Sequence, residues 1–255
     1  MGVNQVRLRL GRPIASELRG AASVPFGHAA DGGMHVSGRG FSEVTPTGPL
    51  TLWTGWDLRK GVPEGAAKAQ PFGHTEGVAT DRYELLAVAA RGFRPPQFLT
   101  VLDLSEQLEG EVHELAAAGA NDEVIRQAWS LAYRQVAATE PRKSAPFAIY
   151  LLGVDPPPDA TDEELEVFND FYTNVHLPEV AERRHALRAV RYELVRALKP
   201  PYQGAPRFLA AYEVDEAGAS NRRHVGPPYS SGPEVWQRHK TPWRLWYCQL
   251  GPELG

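Results

Sequence analysis

The stretch Phe168–Leu194, FNDFYTNVHLPEVAERRHALRAVRYEL, decides how the rest of the chain is read. It reads as an aromatic-studded helix, a His-Leu-Pro break, a charged turn and a short strand. Proline lacks an amide hydrogen and disfavours helix in the residue before it, which predicts a break or a restart of the helix at Pro178. The closing tetrapeptide Arg191-Tyr192-Glu193-Leu194 occurs a second time as Arg82-Tyr83-Glu84-Leu85. Two statements of one phrase, far apart in the chain, point to two copies of one folding unit.

Working outward, the 255 residues suffice for one large domain or two small ones, each with its own core. The 42% hydrophobic and 23% charged content is that of an ordinary globular protein. A formal net charge of -4 argues against nucleic acid as a partner, because phosphate neutralisation needs clustered Lys and Arg. No apolar run reaches the roughly 20 residues of a membrane span, and MGVNQVRLRLGRP lacks the apolar core of a secretory signal. A cytoplasmic location and no membrane partner are the expectations. Cys248 is the sole cysteine, which excludes an internal disulfide and predicts a buried structural thiol. The eight histidines show no HxH or HExxH spacing, so no metal is expected. Glycine-rich phosphate loops and a GxSxG nucleophile turn are likewise missing from the sequence.

Three segments follow from the patterning. Residues 1–49 begin with an alternating strand-like run at 3–10 and continue as a Gly-, Ser- and Pro-rich extension, with short strands at 34–36 and 40–44. Residues 50–145 carry Trp53 and Trp56, strands at 82–88 and 97–104, a helix capped by Ser105, and a helix from Asn121 to Ala138. The apolar stripe of that last helix is Val124, Ile125, Ala128, Leu131, Ala132 and Val136. Residues 146–255 open with FAIYLLGV at 147–154, a continuous apolar run that suits a central buried strand. Thr161-Asp-Glu-Glu164 fits a capping box that starts the aromatic helix. Strands follow at 189–195 and 207–214, then a short helix near 234–240 and a last strand at 242–250.

The two later segments align in pieces. Arg82 matches Arg191, and Pro96-Gln97-Phe98-Leu99 matches Pro206-Arg207-Phe208-Leu209. Upstream, Trp53, Trp56, Pro63 and Glu64 are set against Phe168, Phe171, Pro178 and Glu179. Each half then reads as helix-like segment, strand, strand, helix, strand, with 147–154 serving either copy. A strand before the helix makes this βαββαβ. The expected fold class is α+β, two ferredoxin-like (βαββαβ) repeats forming a pseudo-dimeric α+β barrel.

His176-Leu177-Pro178-Glu179 after an aromatic helix, then Arg191-Tyr192-Glu193-Leu194 and Arg207-Phe208-Leu209-Ala210-Ala211-Tyr212-Glu213-Val214, resembles the EthD-type dimeric α+β barrel. That superfamily also holds antibiotic-biosynthesis monooxygenases and small polyketide cyclases. The resemblance is closer over residues 147–250 than over 50–140, and it does not reach the segment before Leu50. It implies an oxygenase acting on an aromatic, polyketide-like small molecule as monomer or homodimer. It further implies that oxygen is activated without a metal, by the substrate's own anion or by reduced flavin from elsewhere. A cyclase or isomerase, and a ligand-binding barrel without catalysis, are the alternatives.

His176 is the leading candidate for catalysis, since a neutral imidazole accepts a proton and an imidazolium stabilises an oxyanion. A helix cap is its structural alternative. Tyr172 lies on the same helix face, and Asn169 precedes it by a turn, so the pair could orient that oxyanion. Trp53, Trp56, Phe168, Trp243 and Trp246 are candidate walls for a planar ligand. Alternation along the strand puts Arg191 and Glu193 on one face and Tyr192 and Leu194 on the other. Arg191 is therefore a candidate substrate contact, or part of an Arg-Glu network between the copies. The first copy has Thr54, Asp57 and Gly61 where the second has Asn169, Tyr172 and His176, which predicts one asymmetric site.

Overall fold

A computed structural model describes residues 48–63, 65–66, 80–88, 94–117, 123–221 and 228–250. All described residues belong to one compact unit, Glu43–Gly255. The strands expected at 3–10, 34–36 and 40–44 lie outside the described residues.

Eight strands form a closed antiparallel barrel: β1 (Leu50–Leu58), β2 (Thr80–Val88), β3 (Phe98–Leu104), β4 (Ile125–Ala138), β5 (Ala148–Asp155), β6 (Arg188–Lys199), β7 (Phe208–Val214) and β8 (Lys240–Gln249). Closure removes the open edges that would otherwise recruit other strands. The order around the barrel is β1-β3-β2-β8-β5-β7-β6-β4. Adding four to each strand number, cyclically, returns the same circle. The interior is made by alternate residues of every strand, among them Trp53, Tyr83, Leu99, Leu131, Leu151, Tyr192, Leu209 and Leu245. The expected alternation at Tyr192 and Leu194 holds, for both face this interior.

Contacts recur at matching places of β1–β4 and β5–β8. A Cβ on Gly55 would lie 2.5 Å from Cγ of Pro96, and one on Gly153 would lie 2.7 Å from Cγ of Pro206. Trp129 closes the first of these contacts and Trp243 the second. The Tyr133 hydroxyl donates to the carbonyl of Pro206 at 2.8 Å, and the Tyr247 hydroxyl donates to the carbonyl of Pro96 at 3.0 Å. Each half of the barrel thus satisfies a turn of the other.

Short helices lie outside the barrel. A 3-10 turn (Glu106–Glu111) leads into α1 (Val112–Ala117), and Ser105 makes no side-chain cap to it. Between β5 and β6 run α2 (Asp162–Phe171), a π-turn (Tyr172–His176) and α3 (Leu177–Arg183). The capping box at its start is complete: Glu164 N–H donates to Thr161 Oγ1, and Thr161 N–H donates to the Glu164 carboxylate. Finally, α4 (Glu216–Ser220) follows β7 and α5 (Glu234–Gln237) precedes β8.

Three expectations are corrected. Residues 125–138 form strand β4, not a helix. Register shifts at Ser130/Leu131, Ala132/Tyr133 and Gln135/Ala137 break its alternation and leave apolar residues at helical spacing. Trp53 and Trp56 lie on β1, so they are not counterparts of Phe168 and Phe171 on α2. Of the break and the restart expected at Pro178, the break gives way to the restart. The Leu177 amide reaches back five residues to the Tyr172 carbonyl, and Pro178 sits in the first turn of α3. There its missing N–H costs little and the widened turn relieves its ring.

Candidate functional site

The site grows from the outer face of β5–β8, where it meets α2, the π-turn, α3 and α5. On β5, an otherwise aliphatic strand, Tyr150 points outward; it pairs with Tyr212 of β7 on one side and Trp246 of β8 on the other. Arg244 is one outward step along β8, opposite Leu152, and Arg191 faces outward on β6. Trp246 stacks on Tyr150 at 4.6 Å, and the Arg184 guanidinium lies 5.0 Å over the Tyr150 ring. Burial pushes the Tyr150 phenol up, and the cations of Arg244 and Arg184 offset part of that rise.

From the helix side, the π-turn carries both Tyr172 and His176 inward, with ring centroids 5.9 Å apart. Such wide turns persist where function repays their poorer packing. Trp236 on α5 joins the rings together: it lies 5.1 Å from Phe168, 5.0 Å from Tyr172, 4.6 Å from His176 and 4.2 Å from His239. The adjoining segment is strapped over α3. Glu179 accepts from the Ser230 amide at 3.1 Å and from Arg183 at 2.6 Å, and Tyr229 meets His176 edge-on at 5.4 Å.

Arg191 is 2% exposed. Its Nη1 donates to Thr173 Oγ1 at 2.8 Å and its Nη2 to Asn169 Oδ1 at 2.5 Å. The guanidinium is sandwiched between the rings of Tyr172 and Phe208, at 4.5 and 4.2 Å. Desolvation pulls its pKa down to about 10. Burial, reinforced by His239, Arg183 and Arg244, holds His176 down to about 4, so its imidazole is neutral at neutral pH. Burial pushes the phenols of Tyr172 and Tyr212 well up. Among the described residues, the buried hydroxyls of Tyr172 and Tyr212, His176 Nδ1 and Arg191 Nε find no hydrogen-bond partner. Buried polar groups nearly always find partners, so this concentration needs an explanation.

Of the side chains expected from sequence, the structure gathers His176, Tyr172, Asn169, Phe168, Arg191 and Trp246. Asn169 is engaged by Arg191 rather than standing beside His176. Trp53 lies inside the barrel, edge-on to Tyr192 at 5.4 Å. Trp243 is also interior, 5.5 Å from Trp129, and Trp56 packs with Phe98 and Ile125 while donating to Thr100. These three do not line the cluster. The Arg-Glu network is partial: Glu193 turns to Arg207 at 3.2 Å, while Arg191 turns to the helix. Cys248 is half-buried rather than sealed in the core.

Sequence reasoning passed over Tyr150, Tyr212, Arg184, Arg244 and His239. Their signal is a tyrosine in each of two aliphatic strands, FAIYLLGV and FLAAYEV, legible only once β5 and β7 are set side by side. Two surface depressions, of about 400 and 510 Å³, adjoin Leu58 and Arg94 and are lined by none of the cluster residues. Among the described residues no group of three or more His, Cys, Asp or Glu side chains is placed to hold a metal, and no helix is long and apolar enough to cross a membrane.

No family model matches the sequence, and no curated protein does. Among solved structures, the crystal structure of a candidate chlorite dismutase is similar with a TM-score of 0.45 at 11% identity, covering 80% of this chain and 95% of that one.

Proposed function

We propose that β1–β4 and β5–β8 are two ferredoxin-like repeats of an EthD-like, pseudo-dimeric α+β barrel, and that the second repeat carries an oxygenase site. The circular strand order and the reciprocal Tyr133–Pro206 and Tyr247–Pro96 bonds support the first part. In β5–β8 the order strand, helix, strand, strand, helix, strand is complete.

The observation that carries the second part is the set of unpartnered buried polar atoms on a face rich in arginine and aromatic rings. Such a face suits a planar aromatic, polyketide-like metabolite with an acidic enol that is held as its anion. Arg191 and the Tyr172 and Tyr212 hydroxyls stabilise the oxyanion, and neutral His176 takes up a proton at Nδ1. An electron-rich anion so held passes one electron to oxygen, and the resulting radical pair combines into a carbon-bound peroxide anion, which the returned proton makes a hydroperoxide. His176 returns the proton; where the reacting carbon carries two hydrogens, loss of water leaves a ketone. One oxygen atom is then in the product and one in water, with no outside reductant. The same donors fit the anionic edge of a reduced flavin, which would supply electrons to substrates too poor to reduce oxygen themselves.

Incubation with polycyclic compounds that carry an acidic enol, under labelled oxygen and with and without reduced flavin, tests this by product mass. Label in the product supports oxygenation, and dependence on flavin identifies the electron source. A product of unchanged mass identifies a cyclase or isomerase instead. Unaltered ligand that co-purifies marks a carrier.

A further inference from the structure

Arg191 is built as one half of an ion pair. Arginines elsewhere on the barrel are matched to carboxylates: Arg188 to Glu213 at 3.0 Å, Arg142 to Asp81 at 2.6 Å, and Arg134 to Glu109 through two bonds of 3.0 and 2.8 Å. Arg191 is more deeply buried than these, yet its polar partners are the neutral oxygens of Thr173 and Asn169. Glu193, two residues along the same strand, is engaged by Arg207. A desolvated cation between two rings, with Nε unpartnered, is costly unless a counter-charge arrives. Cationic Arg184 and Arg244 stand on the neighbouring strand side and reinforce the same sign. The walls are flat: Tyr150 stacked on Trp246, Phe168 on Phe208, and Trp236 between the helices and them.

We propose that this face selects a planar organic anion that is already ionised at neutral pH, an aromatic carboxylate or an acidic enolate, with its oxyanion set against Arg191 and the hydroxyls of Tyr172 and Tyr212. The proposal rests on the location assigned to the oxygenase site and not on its chemistry. It goes further by excluding weakly acidic phenols as ligands. Burial, reinforced by the nearby cations, keeps His176 a weak base, so it is poorly suited to ionise such a phenol but remains available for a more acidic proton. A guanidinium recognises both oxygens of a carboxylate, or the adjacent oxygens of a hydroxyquinone, through its fork of donors.

The test is thermal stabilisation and titration of the whole protein with three probes of similar shape: naphthoate, hydroxynaphthoquinone and naphthol. The first is a carboxylate and the second an acidic enol, both ionised at neutral pH, while naphthol is neutral. The wild type is expected to be stabilised by one or both anions and not by naphthol; which anion binds separates the carboxylate from the enolate source. Arg191→Met should weaken anion binding at least tenfold while its ligand-free melting temperature equals or exceeds that of the wild type. A purely structural arginine would lower it. Arg191→Lys should recover part of the binding, and Tyr212→Phe, which removes only an unpartnered hydroxyl, should fold normally and bind the anion severalfold more weakly. If Arg191→Met does not fold, the Lys and Phe variants decide the matter.

Equal affinity for naphthol, undiminished anion binding in these variants, or no stabilisation of the wild type by either anion overturns the proposal. Anion binding without oxygen incorporation would overturn the oxygenase and leave the anion site standing. Oxygen incorporated into naphthol, with Arg191→Met unimpaired, would do the reverse.

Discussion

The outer faces of β1–β4 and β5–β8 have the same strand register and opposite chemistry. Leu52 pairs with Leu102 and with Ala132 where Tyr150 pairs with Tyr212 and with Trp246. Thr54 pairs with Ser130 where Leu152 pairs with Arg244. The first face is an ordinary core under α1, built from Leu50, Leu52, Leu102, Leu104, Val112 and Ala132. Its few polar groups are matched to one another, as in Thr54 with Ser130 at 3.1 Å and Trp56 with Thr100 at 3.0 Å. The second face buries tyrosines, a histidine and an arginine, and leaves polar atoms of each without a partner. One scaffold therefore separates the two tasks. Both faces are packed; the first is closed by aliphatic contacts, and the second buries polar groups that stability alone would not retain.

That contrast can be broken at either face. The largest effect is expected at His176. Replacement by Gln should lower oxygenation by about 10²–10⁴-fold, the range for loss of a proton-transfer group, with little change in melting temperature. Turnover equal to wild type would remove His176 from the chemistry. On the first face, Leu52→Ala should cost about 2–5 kcal/mol in denaturant unfolding, because Leu52 is wholly buried and its cavity cannot collapse into a tightly packed sheet. Activity per folded molecule should not change.

The shared framework should respond alike in both halves. Gly55→Ala and Gly153→Ala each force a methyl group against a proline and a tryptophan, at 2.5 and 2.7 Å from the respective proline Cγ. Each should cost about 1–3 kcal/mol. A large difference between the two would mean that the matched contacts do not do matched work.

A smaller effect is expected from pH. The folded protein holds His176 down to about 4, against 6.5 for an unperturbed histidine. Between those values the unfolded chain binds a proton that the folded chain does not, so stability rises with pH across the window. The contribution of neutral His176 is complete above 6.5 and is lost as pH falls towards 4. Unfolding curves of the wild type and His176→Gln should therefore coincide above 6.5 and separate as pH falls towards 4, where the wild type loses stability that the variant keeps. Parallel curves would show that burial does not disfavour the imidazolium. The smallest change is expected at Glu193→Gln, which breaks a partly exposed pair with Arg207 and should shift stability by about 0.5 kcal/mol or less.

The sequence was legible where local chemistry decides structure. Thr161 and Glu164 make both bonds of the capping box, the apolar run at 147–154 is the interior strand β5, and the repeated Arg-Tyr-Glu-Leu occupies β2 and β6. It misled where tertiary structure overrides a local pattern. The bulges of β4 conceal a strand behind helical spacing, and the π-turn carries a helix through Pro178. The mismatch of Trp53 with Phe168 had a further consequence, because it set Gly61 against His176. The asymmetry inferred from that alignment is seen instead on the strands, at Leu52 against Tyr150 and Leu102 against Tyr212. His176, Tyr172 and Arg191 could be singled out because they stand in or beside one memorable stretch. Tyr150, Tyr212 and Arg244 come from three strands that only the barrel brings together, and no local pattern marks them.

A crystal structure of the protein with naphthoate or hydroxynaphthoquinone bound would test the central claim most directly. The account predicts a single ligand on the β5–β8 face, its anionic oxygens within hydrogen-bonding distance of Arg191 and the Tyr212 hydroxyl and its ring against Trp246 or Trp236. A ligand seated on the Leu52–Leu102 face, or one on the β5–β8 face whose charged end turns away from Arg191, would contradict it.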